Sequence, residues 1–114
     1  MASDRMRRVD EAVREVLSDA VRQLKDPRIG FVTVTDVDTS PDLRHATVFV
    51  SVLGTDTERK STIAGLKSAH GVLQRRVSRD LRMKHTPQLD FRYDDTSERA
   101  MRLGELIDRE MEQR

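Results

Sequence analysis

The chain has 114 residues, 36% of them hydrophobic and 36% charged, which gives a single domain an ordinary core inside a heavily charged shell. It has no cysteine, which excludes disulfides, thiolate metal sites and thiol nucleophiles; Lys+Arg 21 against Asp+Glu 20 leaves a net charge of only +1, so any preference for a polyanion must come from how charge is distributed. The polar stretch Met1–Asp10 and the lack of any apolar run near the ~18 residues of a membrane span predict a cytoplasmic protein, neither secreted nor membrane-inserted.

Val9, Ala12, Val13, Val16, Leu17, Ala20 and Leu24 fall at the i, i+3, i+4, i+7 spacing of an amphipathic helix between Met6 and Leu24. Asp26-Pro27 ends it, since proline lacks an N–H and pushes the preceding residue out of the α region. Residues 31–37 are rich in β-branched side chains and predict a strand. Ser40-Pro41-Asp42 reads as a turn with proline at its second position. Over 44–53, Ala46, Val48, Val50 and Val52 alternate with more polar neighbours, the period of a strand with one buried face, antiparallel to the first. Gly54 ends it, and Thr55-Asp56-Thr57-Glu58 matches a capping box. Ile63, Leu66, Leu73, Val77 and Leu81 keep one face across 57–84, but Ala69-His70-Gly71 interrupts this run and predicts a kink. After Pro87, Leu89, Phe91 and Tyr93 alternate as a third strand. Asp95-Thr96-Ser97-Glu98 then caps a last helix bearing Ala100, Leu103 and Ile107. The order α-β-β-α-kink-α-β, with a C-terminal helix, predicts an α+β domain whose helices pack on one face of a three-stranded sheet. One domain, 1–114, is expected, with a core over about 5–94 and a C-terminal helical segment at 95–114.

Catalytic patterns are missing from the sequence. His45, His70 and His85 have no metal-ligand spacing, and Asp36 to Ser40 imitates a calcium loop but has Pro41 where glycine is needed and Thr47 where glutamate is needed. Asp94-Asp95 reads as a helix cap rather than an acid–base pair. A cleft of ~300 Å³ or more is not expected in so small a two-layer domain, and one lined by these carboxylates and a histidine would point back to an enzyme. No enzyme, cofactor, metal or small-molecule substrate is predicted.

The informative feature is the stretch Lys67 to Lys84, where Lys67, Arg75, Arg76, Arg79, Arg82 and Lys84 face one acid, Asp80. At 100° per residue, Arg75, Arg76, Arg79 and Arg82 fall within an arc of about 120°, opposite Leu73, Val77 and Leu81. Guanidinium groups fork around phosphate oxygens, and neutralised phosphates release counterions, so the arc predicts a nucleic-acid-binding face. Val72 and Met83 lie on the same side, with Val72 expected to pack under the preceding helix. Arg7, Arg14 and Lys25 form a weaker strip on the first helix, with Arg5 and Arg8 near its start, although Glu11, Glu15 and Asp19 offer ion-pair partners. The last segment, Asp94 to Arg114, holds seven acids against four arginines and is expected to lie away from phosphate.

The chain resembles the ribosome-binding factor A family over roughly residues 5–109. The residues that carry the likeness are Arg7-Arg8-Val9, Asp26-Pro27-Arg28, the run from Ser40 to Val52, Ala69-His70-Gly71, and Pro87 to Asp94. The resemblance implies a type II KH-like fold in which the Gly-x-x-Gly loop is replaced by the Ala69-His70-Gly71 kink. It further implies a non-catalytic protein that binds the immature 30S subunit and its 16S rRNA, assists processing of the rRNA 5′ end and supports growth in the cold. On this reading Arg7, Arg8, Ala69, His70, Gly71, Arg75, Arg76, Arg79, Arg82 and Lys84 meet the RNA, and the protein is a monomer. The alternative is a general KH-like RNA chaperone without preference for ribosomes.

Overall fold

A computed structural model describes residues 4–96 and Gly104. The elements run α1 (Asp4–Arg22), β1 (Phe31–Thr39), β2 (His45–Leu53), α2 (Asp56–Ser68), α3 (His70–Leu81) and β3 (Gln88–Tyr93). The apolar stripe of α1 buries Val13, Leu17, Ala20 and Val21 against the sheet. Its last turn tightens, with Gln23 N–H bonded to the Ala20 carbonyl at 3.1 Å and Leu24 N–H to that of Val21 at 3.2 Å, so the regular helix stops two residues before Leu24. Past it, the Asp26 carboxylate accepts from Arg28 N–H at 2.9 Å, and the Asp26 carbonyl accepts from Ile29 N–H at 3.0 Å. Buried Thr62 of α2 fixes this turn by accepting from Gly30 N–H at 3.2 Å.

β1 and β2 pair antiparallel from Phe31 opposite Leu53 to Thr39 opposite Ala46. Their turn has Pro41 in its second position, closed by Leu43 N–H to the Ser40 carbonyl at 2.9 Å. β1 runs two residues beyond the predicted 31–37 and changes phase at a bulge between Val34 and Asp36, so Val34 and then Val37 and Thr39 all face inward. The predicted capping box forms: the Thr55 hydroxyl accepts from Glu58 N–H at 3.2 Å and the Glu58 carboxylate from Thr55 N–H at 3.4 Å.

The predicted break falls at Ala69 (φ −86°, ψ 8°), which ends α2 and precedes α3. Together α2 and α3 form the crossover that lets β3 pair parallel to β2, giving the order β1-β2-β3. The helices cover one face of the sheet, where Val48, Val50 and Phe91 meet Leu17, Leu66, Leu73 and Val77 in one core. The other face carries Phe31, Thr33, Ser51, Leu53, Asp90 and Arg92, all exposed. The fold is the α+β, KH-like arrangement. The C-terminal helix expected after the Asp95–Glu98 pattern falls on residues that, Thr96 and Gly104 apart, lie outside those described.

Candidate nucleic-acid interface

Leu73 and Val77 pin α3 to the core with no exposed surface, which turns Arg75 and Arg79 outward on the opposite side. Arg75 reaches back one turn, its Nη1 3.4 Å from where a Cβ on Gly71 would stand. Ala69 contributes no side-chain cap to α3, and its own N–H is bonded back to the Gly65 and Leu66 carbonyls of α2 at 3.0 and 3.1 Å. At the other end Arg82 is not on the helix but is its cap, in the left-handed region at φ 48°, with its N–H on the Ser78 carbonyl at 3.1 Å. Its side chain and that of Lys84, just beyond, are exposed.

Arg76 differs from its neighbours. Its Nε donates to Asp80 at 2.7 Å, its Nη2 to Asp19 at 2.7 Å and its Nη1 to Gln23 at 2.9 Å, so all three guanidinium nitrogens are engaged and α3 is tied to α1. Only 22% of the side chain is exposed, against 73% for Arg79, whose Nε donates to the second oxygen of Asp80 at 3.1 Å. Hydrogen bonds from Arg76 and then Arg79 hold the Asp80 carboxyl below its ordinary range, and the Asp80 and Asp19 carboxylates hold the Arg76 guanidinium above its own. The helical wheel put four guanidinium groups on one arc; the structure sets one of them among carboxylates.

His70 also faces inward: Nε2–H donates to the Leu89 carbonyl at 3.1 Å. One turn on, Gln74 donates to the Pro87 carbonyl at 2.7 Å and accepts from Leu89 N–H at 3.1 Å. The two side chains satisfy the outer edge of β3, groups that β2 does not reach. Gln74 drew no attention in the sequence; its i, i+4 spacing from His70 on the core side of α3 was the available signal.

α1 and α3 run side by side, and two clefts open along their seam. One, of about 560 Å³, is lined by Ala20, Gln23, Leu24 and Val72 with Arg75, Arg76 and Arg79. Val72 does not pack under α2 as expected; it is 52% exposed at this cleft, because the break at Ala69 turns its side of α3 outward. The other, about 260 Å³, brings Arg5 and Arg8 to Val9, Leu81 and Met83. Arg7 is exposed, 3.8 Å from the equally exposed Asp4, and Arg14 pairs with Glu11, so within the strip foreseen on α1 it is Arg14 that is held closely by an acid.

Clefts also occur near the C-terminal end of β3, against expectation for so small a domain. One of about 560 Å³ includes Asp95 and Tyr93 with Arg59, Lys60 and Lys67, and one of about 410 Å³ includes Asp94, Asp95 and Asp36. No histidine is among the residues that line either cleft.

A family model described as "Ribosome-binding factor A" matches residues 5–107. A ribosome-binding factor A from Halothermothrix orenii is 46% identical over 108 residues, covering 94% of this chain and 88% of the relative. One from Anaeromyxobacter sp. (strain K) is 52% identical, covering 91% and 77%. The solution structure of a Thermotoga maritima protein described as a putative ribosome binding factor A is 35% identical, with a TM-score of 0.73 over 81% of this chain and 89% of that one. A Thermus thermophilus ribosome binding factor A, fitted as a homology model into a cryo-EM map of a 30S complex, is 25% identical with a TM-score of 0.66, covering 76% and 92%. The chain belongs to the ribosome-binding factor A family.

Proposed function

We propose that this protein docks on the immature 30S subunit through 16S rRNA, holds a late folding intermediate and so assists processing of the rRNA 5′ end, acting by binding and without bond-making. The observation that carries the reading is the cation cluster along α3: Arg75 and Arg79 exposed on one side, with Arg82 and Lys84 past its end. A relative described in complex with a 30S particle supports the choice of partner. In this reading the break between α2 and α3, at Ala69, His70 and Gly71, lies close to the RNA backbone. Gly71 leaves room for that approach and for Arg75. Arg7 and Arg8 add charge from α1, and Arg76 braces the surface. The protein acts as a cytoplasmic monomer, one KH-like unit per particle, and cells lacking it are expected to accumulate unprocessed 16S rRNA most strongly in the cold.

The test is binding to 30S particles and to a 16S rRNA transcript across a salt series. Replacing Arg75 and Arg79 by glutamine is expected to weaken binding and to make the salt slope shallower by about 0.7 to 0.9 for each lost phosphate contact. Wild-type affinity in that variant would refute the surface. Even sedimentation of the wild-type protein with 30S, 50S and 70S particles would refute the preference.

A further inference from the structure

Asp19 and Asp80 stand on the flank that the proposed function turns toward a polyanion, where carboxylates oppose binding. They remain exposed to water, by 50% and 31%, and ion pairs so placed add little to folding. The contact between α1 and α3 rests instead on Ala20, Leu73 and Val77, which are buried. The effect of the two acids on charge is larger. With Asp19 and Asp80 present, the cluster of Arg75, Arg76 and Arg79 carries a net +1 rather than +3, and Arg76 has no nitrogen without an acceptor.

We infer that Asp19 and Asp80 limit the affinity of the α3 face for RNA by holding Arg76 inward, away from phosphate. The inference rests on the reading of α3 as the RNA-facing surface. Asp80 has a second effect: by taking the Nε of Arg79 it leaves both Nη groups of that side chain to fork a phosphate. The surface thus presents Arg75 and an oriented Arg79, and a third arginine is held back.

The experiment replaces both carboxylates at once. D19N/D80N keeps the side-chain shapes but removes both negative charges, so that Arg76 is held only by weaker neutral acceptors, and is expected to bind a 16S rRNA transcript about tenfold tighter at low salt. Its salt slope should be steeper by about 0.7 to 0.9, one added phosphate contact. Unchanged or weaker binding by a variant with the wild-type circular dichroism spectrum overturns the inference. Should that variant fail to fold, R76Q/D19N/D80N removes all three charges and leaves an amide network. Its expected affinity is at least that of the wild type with an unaltered salt slope. A slope shallower by one contact means Arg76 already touches RNA, and also overturns it. R75Q/R79Q measured alongside separates the two ideas: if that variant binds normally, the α3 surface itself is wrong. If it binds weakly while D19N/D80N gains nothing, only the role given to the two acids fails.

Discussion

A Cβ added at Gly65 would stand 2.7 Å from Cγ1 of Ile29, a branched side chain with little rotamer freedom that packs on α2 from the turn after α1. At Gly71 the nearest atom is the far end of Arg75, 3.4 Å away and free to move. Alanine gains about 1 kcal/mol over glycine inside a helix, whereas overpacking costs about 1–3 kcal/mol. Gly65→Ala is therefore expected to lower the unfolding free energy measured in urea by a net of about 1 kcal/mol, and Gly71→Ala to raise it by a similar amount. A rise at Gly65 would mean that the turn yields freely. The carboxyl of Asp80 gives a pH signature at the same scale. Its value is depressed in the folded state, so its contribution to stability is full above the ordinary 3.8 and is lost as pH falls through the lower folded value. Thermal unfolding between pH 5 and pH 2, ranges chosen to bracket that titration, should show a loss in the wild type that Asp80→Asn reduces. Parallel curves would show that Asp80 gains nothing from its two arginines on folding.

At the scale of the elements, α3 serves three neighbours at once. Leu73 and Val77 reach the core, Arg76 reaches α1, and His70 with Gln74 reach the edge of β3. A parallel edge strand six residues long has few bonds of its own, so two side chains that close both polar groups of Leu89 weigh heavily in its registration. Gln74→Ala leaves the Leu89 N–H and the Pro87 carbonyl without these partners, at about 1–3 kcal/mol for part-buried groups. The measurement that isolates the effect is amide hydrogen exchange: Leu89 should lose protection while Val50, in the middle of β2, changes only with global stability. Equal changes at both sites would assign Gln74 to general packing.

Over the whole molecule, the helical layer separates two chemically different surfaces. On the helix side lie Arg75, Arg79 and the Leu24–Val72 cleft; on the open sheet side Arg92 is paired with Asp90 at 3.0 Å, beside threonine, serine and two exposed apolar residues, Phe31 and Leu53. With net charge near zero, this polarity is the electrostatic guide to orientation among the described residues. Arg92→Gln is accordingly expected to leave 16S rRNA affinity within about twofold and its salt slope unchanged, since it removes no phosphate contact. A loss as large as that of the α3 variants would place RNA on the sheet face instead.

The local elements could be read from residue order because their causes lie within a few positions of one another: the stripe of α1, the Thr55–Glu58 box, the inward valines of β2 and the break at Ala69. The bulge in β1 left a trace too, since the inward residues change parity between Val34 and Val37. Part of the candidate surface was equally legible, the outward pointing of Arg75 and Arg79 following from the burial of Leu73 and Val77. Arg76 could not be sorted from them by a wheel, because its partner Asp19 lies 57 residues away, on a helix whose approach is set by the core. Val72 was expected under α2, His70 was expected to meet RNA, and Gln74 was passed over for the same reason: a side chain's role depends on what stands opposite it. Periodicity fixes which way a residue points, but only packing between distant segments supplies the carbonyl, carboxylate or open water that it meets.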